Sequence, residues 1–154
     1  MQRIALDTNF LAYLAGVERA PTDAEKVSHA RRLFSKLTHS ASLIAPVQTL
    51  GELFVVLSRA KTPADEARSI ILEFSQGLET SDSSVATMNA ALDLVVDHRL
   101  HYWDALILSA SAAARASLLL SEDMQDGFVW RGVTVVNPFA ASPHRKLAAL
   151  LDQT

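Results

Sequence analysis

The chain has 154 residues, 49% hydrophobic and 20% charged, with no cysteine and a formal net charge of −3. That length suits one domain with a core of ordinary size, and the apolar content excludes a disordered chain. The lack of cysteine excludes disulfides and thiolate metal sites and suits a reducing compartment, so a cytoplasmic location is expected.

No basic segment followed by a long apolar stretch opens the chain, so no signal peptide is expected. No apolar run approaches the roughly 20 residues of a membrane span. The negative balance argues against broad electrostatic wrapping of nucleic acid. It leaves open phosphate contact through a metal, because acids committed to a cation drop out of the balance.

Ile4-Ala5-Leu6 is a short apolar run that ends abruptly in Asp7, Thr8 and Asn9. It reads as a buried strand, and the spacing of Phe10, Leu11 and Leu14 predicts a tight turn and then a helix. Gly16 to Pro21 is a loop. Thr22 or Asp23 is expected to cap a helix from Ala24 to about Leu37, with Val27, Ala30, Leu33, Phe34 and Leu37 as its stripe. Arg31, Arg32 and Lys36 lie largely off that stripe, on a solvated face.

Ser42 to Ala45 is a second short strand, and Pro46 suits the first turn of the next helix. That helix runs from about Val47 to Arg59 and buries Leu50, Leu53, Phe54 and Leu57, with Glu52 off the centre of the stripe. Thr62 and Pro63 start another helix through Phe74, carrying Ala67, Ile70 and Ile71; Gly77 ends it, and Leu78 to Thr80 is a weak strand. Asp82, Ser83 or Ser84 caps a helix whose inner face is expected to be Val85, Met88, Leu92, Val95 and Val96. His98 to His101 breaks the chain before an alanine-rich helix from Trp103 to about Ala116. Leu118 to Leu120 reads as a strand buried on both faces. Ser121 to Gly127 is an acidic turn, Val133 to Val136 a last strand, and Asn137-Pro138 its close. In the tail, Pro143 to Leu151 reads as a short helix with Leu147, Leu150 and Leu151 free to pack on the body or a partner.

Strands alternating with helices predict an α/β fold: a mostly parallel sheet of four to five strands flanked by helices on both faces. In such sheets ligands bind beyond the carboxyl ends of the strands. Asp7 follows strand one, Glu52 lies early in the helix after strand two, Asp104 opens the helix before the Leu118–Leu120 strand, and Asp123 follows that strand with Asp126 close behind. Each acid alone reads as a cap, turn or surface residue. Gathered together, they repel, and a fold that tolerates this needs a cation. Oxygen-only donors favour Mg²⁺ or Mn²⁺. The five histidines show no metal-ligand spacing and read as caps or surface residues, and Trp103 reads as buried between helices rather than as a platform for a base. Phosphate-loop, dinucleotide and nucleophile-elbow motifs are absent.

Ile4-Ala5-Leu6-Asp7-Thr8-Asn9, Leu50-Gly51-Glu52-Leu53, Tyr102-Trp103-Asp104-Ala105-Leu106-Ile107, Leu120-Ser121-Glu122-Asp123-Met124 and Val133-Thr134-Val135-Val136-Asn137-Pro138-Phe139 together resemble a PIN-domain ribonuclease, most of all the toxin half of a VapBC-type toxin–antitoxin pair. The resemblance runs from about residue 3 to 139. It sets the expected organisation, a PIN-like domain over residues 1–139 and a tail over 140–154. It implies a Mg²⁺- or Mn²⁺-dependent endoribonuclease whose acids are Asp7, Glu52, Asp104 and Asp123, supported by Thr8, Asn9 and Ser121, with Asp126 as the rival for the fourth place. It also implies an RNA substrate cut to leave 5′-phosphates, a cognate antitoxin and a homodimer. Two rivals stand beside it. A haloacid-dehalogenase-like phosphatase needs a second Asp where Asn9 stands. A non-catalytic scaffold that only binds RNA or protein has no need of the repelling acids.

Overall fold

The computed structural model describes residues 1–153. Among these, the order is β1 (Gln2–Leu6), α1 (Thr8–Leu14), α2 (Asp23–Leu37), β2 (Ala41–Pro46), α3 (Val47–Arg59), α4 (Ala64–Gly77), β3 (Glu79–Ser81), α5 (Val85–His98), α6 (Tyr102–Ala113), β4 (Leu118–Leu120), β5 (Val129–Trp130), β6 (Val133–Val136) and α7 (Arg145–Leu151). The sheet order is β3-β2-β1-β4-β6-β5. Every pairing is parallel except that of β5 with β6.

The expected α/β class and mostly parallel sheet are present, with six strands rather than four to five. The addition is β5, two residues joined to β6 by a turn in which Arg131 and Gly132 both have positive φ (44° and 82°). Such a turn matches the twist of an antiparallel pair, but two residues are too few to show a strand period.

Alternation along the strands divides the core. Ile4 and Leu6, Leu43 and Ala45, Leu118 and Leu120, and Val136 face a layer built on α1, α2, α3, α4 and α7. Ala5, Ile44, Leu119, Val133 and Val135 face the opposite layer of α5 and α6. A strand covered on both sides is apolar at nearly every buried position, so these runs do not alternate in sequence; buried Thr134 of β6 accepts from Lys146 Nζ at 2.7 Å. The tail helix α7 lies on the first layer and buries Leu147 and Leu150.

The helix faces depart from expectation in several places. On α5 the buried residues are Thr87, Ala90, Ala91 and Leu94, while Val85, Met88, Leu92 and Val96 are exposed, Val96 to 78%. The helix turns its small residues inward because α6 is itself buried from Ala105 to Ser111 and lies close against it. Ser109 Oγ donates across the contact to the Thr87 carbonyl at 2.8 Å. Phe54 on α3 is partly exposed beside Leu72 of α4, and of the α4 stripe Ala67 alone is fully buried. Trp103, expected between helices, is 48% exposed and meets Tyr102 edge-on. Pro46 ends β2 and immediately precedes α3 instead of lying in its first turn. Ser84 caps α5, accepting from the Thr87 N–H at 3.1 Å. No helix among the described residues is long and apolar enough to cross a membrane.

Candidate active site

β1 pairs with β2 on one side and β4 on the other; the chain runs outward from β1 through β2 to β3, and from β4 it runs outward on the opposite side. That is the switch point at which open α/β sheets form a crevice. Asp7 stands there, buried, at the carboxyl end of β1. Its N–H continues the ladder by donating to the Leu120 carbonyl at 3.0 Å. Its carboxylate caps α1, accepting from the Thr8 N–H at 2.7 Å, and also accepts from Ser121 Oγ at 2.6 Å. Capping and a place in the site are therefore not alternatives here.

The other acids arrive from three separate elements. Glu52, on the second turn of α3, accepts from Thr8 Oγ1 at 2.6 Å and from Gln48 Nε2 at 3.1 Å; it has no bond to Arg59. Asp104 lies half-buried in the first turn of α6, where the helix dipole favours its ionised form. Asp123 follows β4 and accepts from Asn9 Nδ2. Asn9 Oδ1 in turn accepts from Arg19 Nη2 at 2.8 Å.

The electrostatics link these groups. Burial first, and then the charges of Asp104 and Asp123, raise the Asp7 pKa to about 7 against the two hydrogen bonds that lower it. Burial also raises Asp104, with His101 lowering it and Asp123 and Glu52 raising it. Asp123 is raised by burial and then by Glu122, while Arg19 and Lys26 lower it. Asp7, Glu52, Asp104 and Asp123 thus share one electrostatic neighbourhood although they are far apart in sequence. Asp126 has a different occupation: its carboxylate accepts from the Asn137 N–H at 2.9 Å and ties the acidic turn to the end of β6.

As placed, no three carboxylates or imidazoles among the described residues surround one point closely enough to hold an ion. Donors among the described residues engage Asp7, Glu52 and Asp123, whereas Asp104 has no such bond among them. The donor set is all oxygen and strongly anionic, which matches a hard divalent cation in chemistry.

Several residues around the site carry no sequence signal of their own. Glu122 is held by Tyr13 Oη at 2.7 Å and by Lys26 Nζ at 2.8 Å, so its charge is answered locally. Burial followed by that carboxylate raises the Tyr13 phenol to about 12. Lys26 also lies 5.6 Å from the ring centres of Tyr13 and Phe139. Partners of this kind are set by the approach of α1 and α2 to the acidic turn, and one chain read alone does not contain that distance. The histidines keep to caps and surface: His101 and His144 precede α6 and α7, and exposed His29 bonds the Pro138 carbonyl.

A family model described as PIN domain matches residues 4–125, a span that includes all four acids. No curated protein matches the chain. Among solved structures, VapC20 of Mycobacterium tuberculosis, a toxin that cleaves the sarcin-ricin loop, is similar with a TM-score of 0.61 at 18% identity over 78% of this chain and 91% of that one. VapBC2 of Rickettsia felis, bound to a DNA fragment from its promoter, gives 0.61 at 19% identity over 78% and 87%. A toxin–antitoxin complex from Klebsiella pneumoniae gives 0.62 at 18% identity over 88% and 98%. At such identities the likeness shows a shared fold.

Proposed function

We propose, because the chain belongs to the PIN domain family and draws four acids to one sheet edge, that it is a metal-dependent endoribonuclease and the toxin of a VapBC-type pair. The observation that carries this reading is the shared field of Asp7, Glu52, Asp104 and Asp123, contributed by four elements and centred on a buried carboxylate. A fold with no use for a cation gains nothing from that arrangement.

The four acids would hold Mg²⁺ or Mn²⁺, with Asp104 and Asp123 on side chains exposed enough to change rotamer toward it. Bound there, the ion would supply positive charge against the scissile phosphate and make water nucleophilic near neutral pH. The protein's part is orientation. Ser121 and the Thr8 N–H fix the Asp7 carboxylate, the Thr8 hydroxyl and Gln48 fix Glu52, and Asn9 fixes Asp123. Removing a group that holds a ligand in this way commonly costs about 10–100-fold in metal affinity or activity. Asp126 acts as a tether of the turn.

The same reading covers residues 1–139 as the nuclease domain, residues 140–154 as its tail, a cytoplasmic location, a cognate antitoxin and a homodimer. Two apolar surfaces support protein partners: the groove between α3 and α4, lined by Val47, Leu50, Phe54, Ile71 and Leu72, and the outer face of α5. Two of the similar structures are toxin–antitoxin assemblies.

Purified protein with Mn²⁺ is expected to cut single-stranded RNA into fragments with 5′-phosphates. Asp7→Asn or Asp104→Asn is expected to slow this by more than about a hundredfold, beyond the usual loss for a supporting residue. Cleavage by either variant at the parent's rate contradicts the assignment.

A further inference from the structure

The loop after α1 brings one cation to the rim of the acid cluster. Arg19 is exposed, but its backbone is pinned. Its N–H and that of Ala20 both donate to Asp23 Oδ2, at 2.8 and 3.1 Å, and Asp23 is itself buried. Beside it, the Val17 N–H closes back on the Ala12 carbonyl at 2.9 Å. The side chain is aimed as well: Nη2 donates to Asn9 Oδ1 at 2.8 Å, and the same amide donates from its other side to Asp123.

Asn9 is therefore a spacer. It holds a guanidinium next to a site acid without an ion pair, since the ion pairs among the described residues are Arg3–Glu79 and Lys26–Glu122. An arginine serving only to offset Asp123 would bond it directly, as Lys26 bonds Glu122. Instead, the rest of the five-donor fork of Arg19 has no partner among the described residues. A planar fork with open donors matches the paired oxygens of a phosphate. The surroundings are anionic, so an RNA backbone approaching Asp7 and Asp104 needs a cation at the rim.

We propose that Arg19, oriented by Asn9, binds a phosphate of the RNA strand beside the bond that is cut. This rests on the nuclease reading above and adds to it a residue that positions substrate. Arg19 contacts the strand and takes no proton.

The test separates binding from cleavage by using the Asp7→Asn protein, which should bind RNA without cutting it. A fluorescent single-stranded RNA is titrated in Mn²⁺ at several salt concentrations. Adding Arg19→Ala is expected to weaken binding about tenfold and to lower the slope of log K against log salt by about 0.7, the loss of one phosphate contact on a single strand. Arg19→Lys should restore the slope but only part of the affinity, because an ammonium lacks the fork. Lys36→Ala removes the same charge from the last turn of α2 and should change neither. Affinity and slope unchanged in the Arg19→Ala protein would overturn the proposal. So would tighter Mn²⁺ binding with unchanged RNA binding, which is the result expected if Arg19 only offsets Asp123. Failure of the nuclease reading shows separately, as intact RNA after incubation with the parent protein and Mn²⁺, and the titration still decides what Arg19 does.

Discussion

At the scale of single residues, Asp7 carries the tension in this molecule. A buried carboxylate between Asp104 and Asp123 holds its proton up to a pKa of about 7, far above the 3.8 of a free side chain. The folded protein therefore binds more protons than the unfolded chain between about pH 4 and 7, and this group's stabilising contribution is lost as the pH rises through that window. In chelator, the melting temperature of Asp7→Asn should exceed that of the parent at pH 8, and the gap should shrink toward pH 4. For a chain this size each kcal/mol moves the midpoint by about 2–4 °C, so a gain of several degrees is expected. The asparagine keeps a carbonyl for the Thr8 N–H and leaves the core intact. A gap that is absent, or that widens as the pH falls, contradicts the sign given to Asp7. Stability gained where activity is lost is the usual mark of a working site. At this scale Asp7 is legible in the sequence as a candidate, because an apolar strand ending in Asp-Thr-Asn is visible locally. The sequence does not mark Arg19 or Glu122, whose meaning comes from neighbours distant in the chain.

At the scale of elements, the strands were legible and the helix faces less so. Ile4–Leu6, Leu43–Ala45, Leu118–Leu120 and Val135–Val136 are apolar because both sides are covered, and that composition shows in a short run. On α5, reading Val85, Met88, Leu92 and Val96 as part of the inner face fails, because the buried side is made by Thr87, Ala90, Ala91 and Leu94, with Val95 packed partly buried beside them. What faces inward was set by the partner helix and not by the size of the residues. Leu94→Ala should then cost about 2–5 kcal/mol, while Val96→Ser stays within about 0.5 kcal/mol. Urea denaturation midpoints measure both, and the reverse order would refute this placement. β5 carries no signal in the sequence because its support is the Arg131-Gly132 turn and the ladder to β6, neither of which leaves a period in two residues.

At the scale of the whole molecule, the site is a product of topology. The parallel order places the carboxyl ends of β1, β2 and β4 side by side, and α3 and α6 start at that same edge. Four acids separated by up to 116 positions, from Asp7 to Asp123, thereby come under one another's influence. The sequence suggested this convergence by its alternation of strands and helices. The contacts that orient each carboxylate exist only once the layers close: Thr8 to Glu52, Ser121 to Asp7 and Asn9 to Asp123. A cation shared by the four acids is the centre of the account, and calorimetric titration of the metal-free protein with Mn²⁺ tests it most directly. Saturable binding is predicted for the parent, weakened at least about tenfold by Asp104→Asn and accompanied by a rise in melting temperature with Mn²⁺ concentration. Parent and Asp104→Asn proteins that take up Mn²⁺ equally, or not at all, would contradict it.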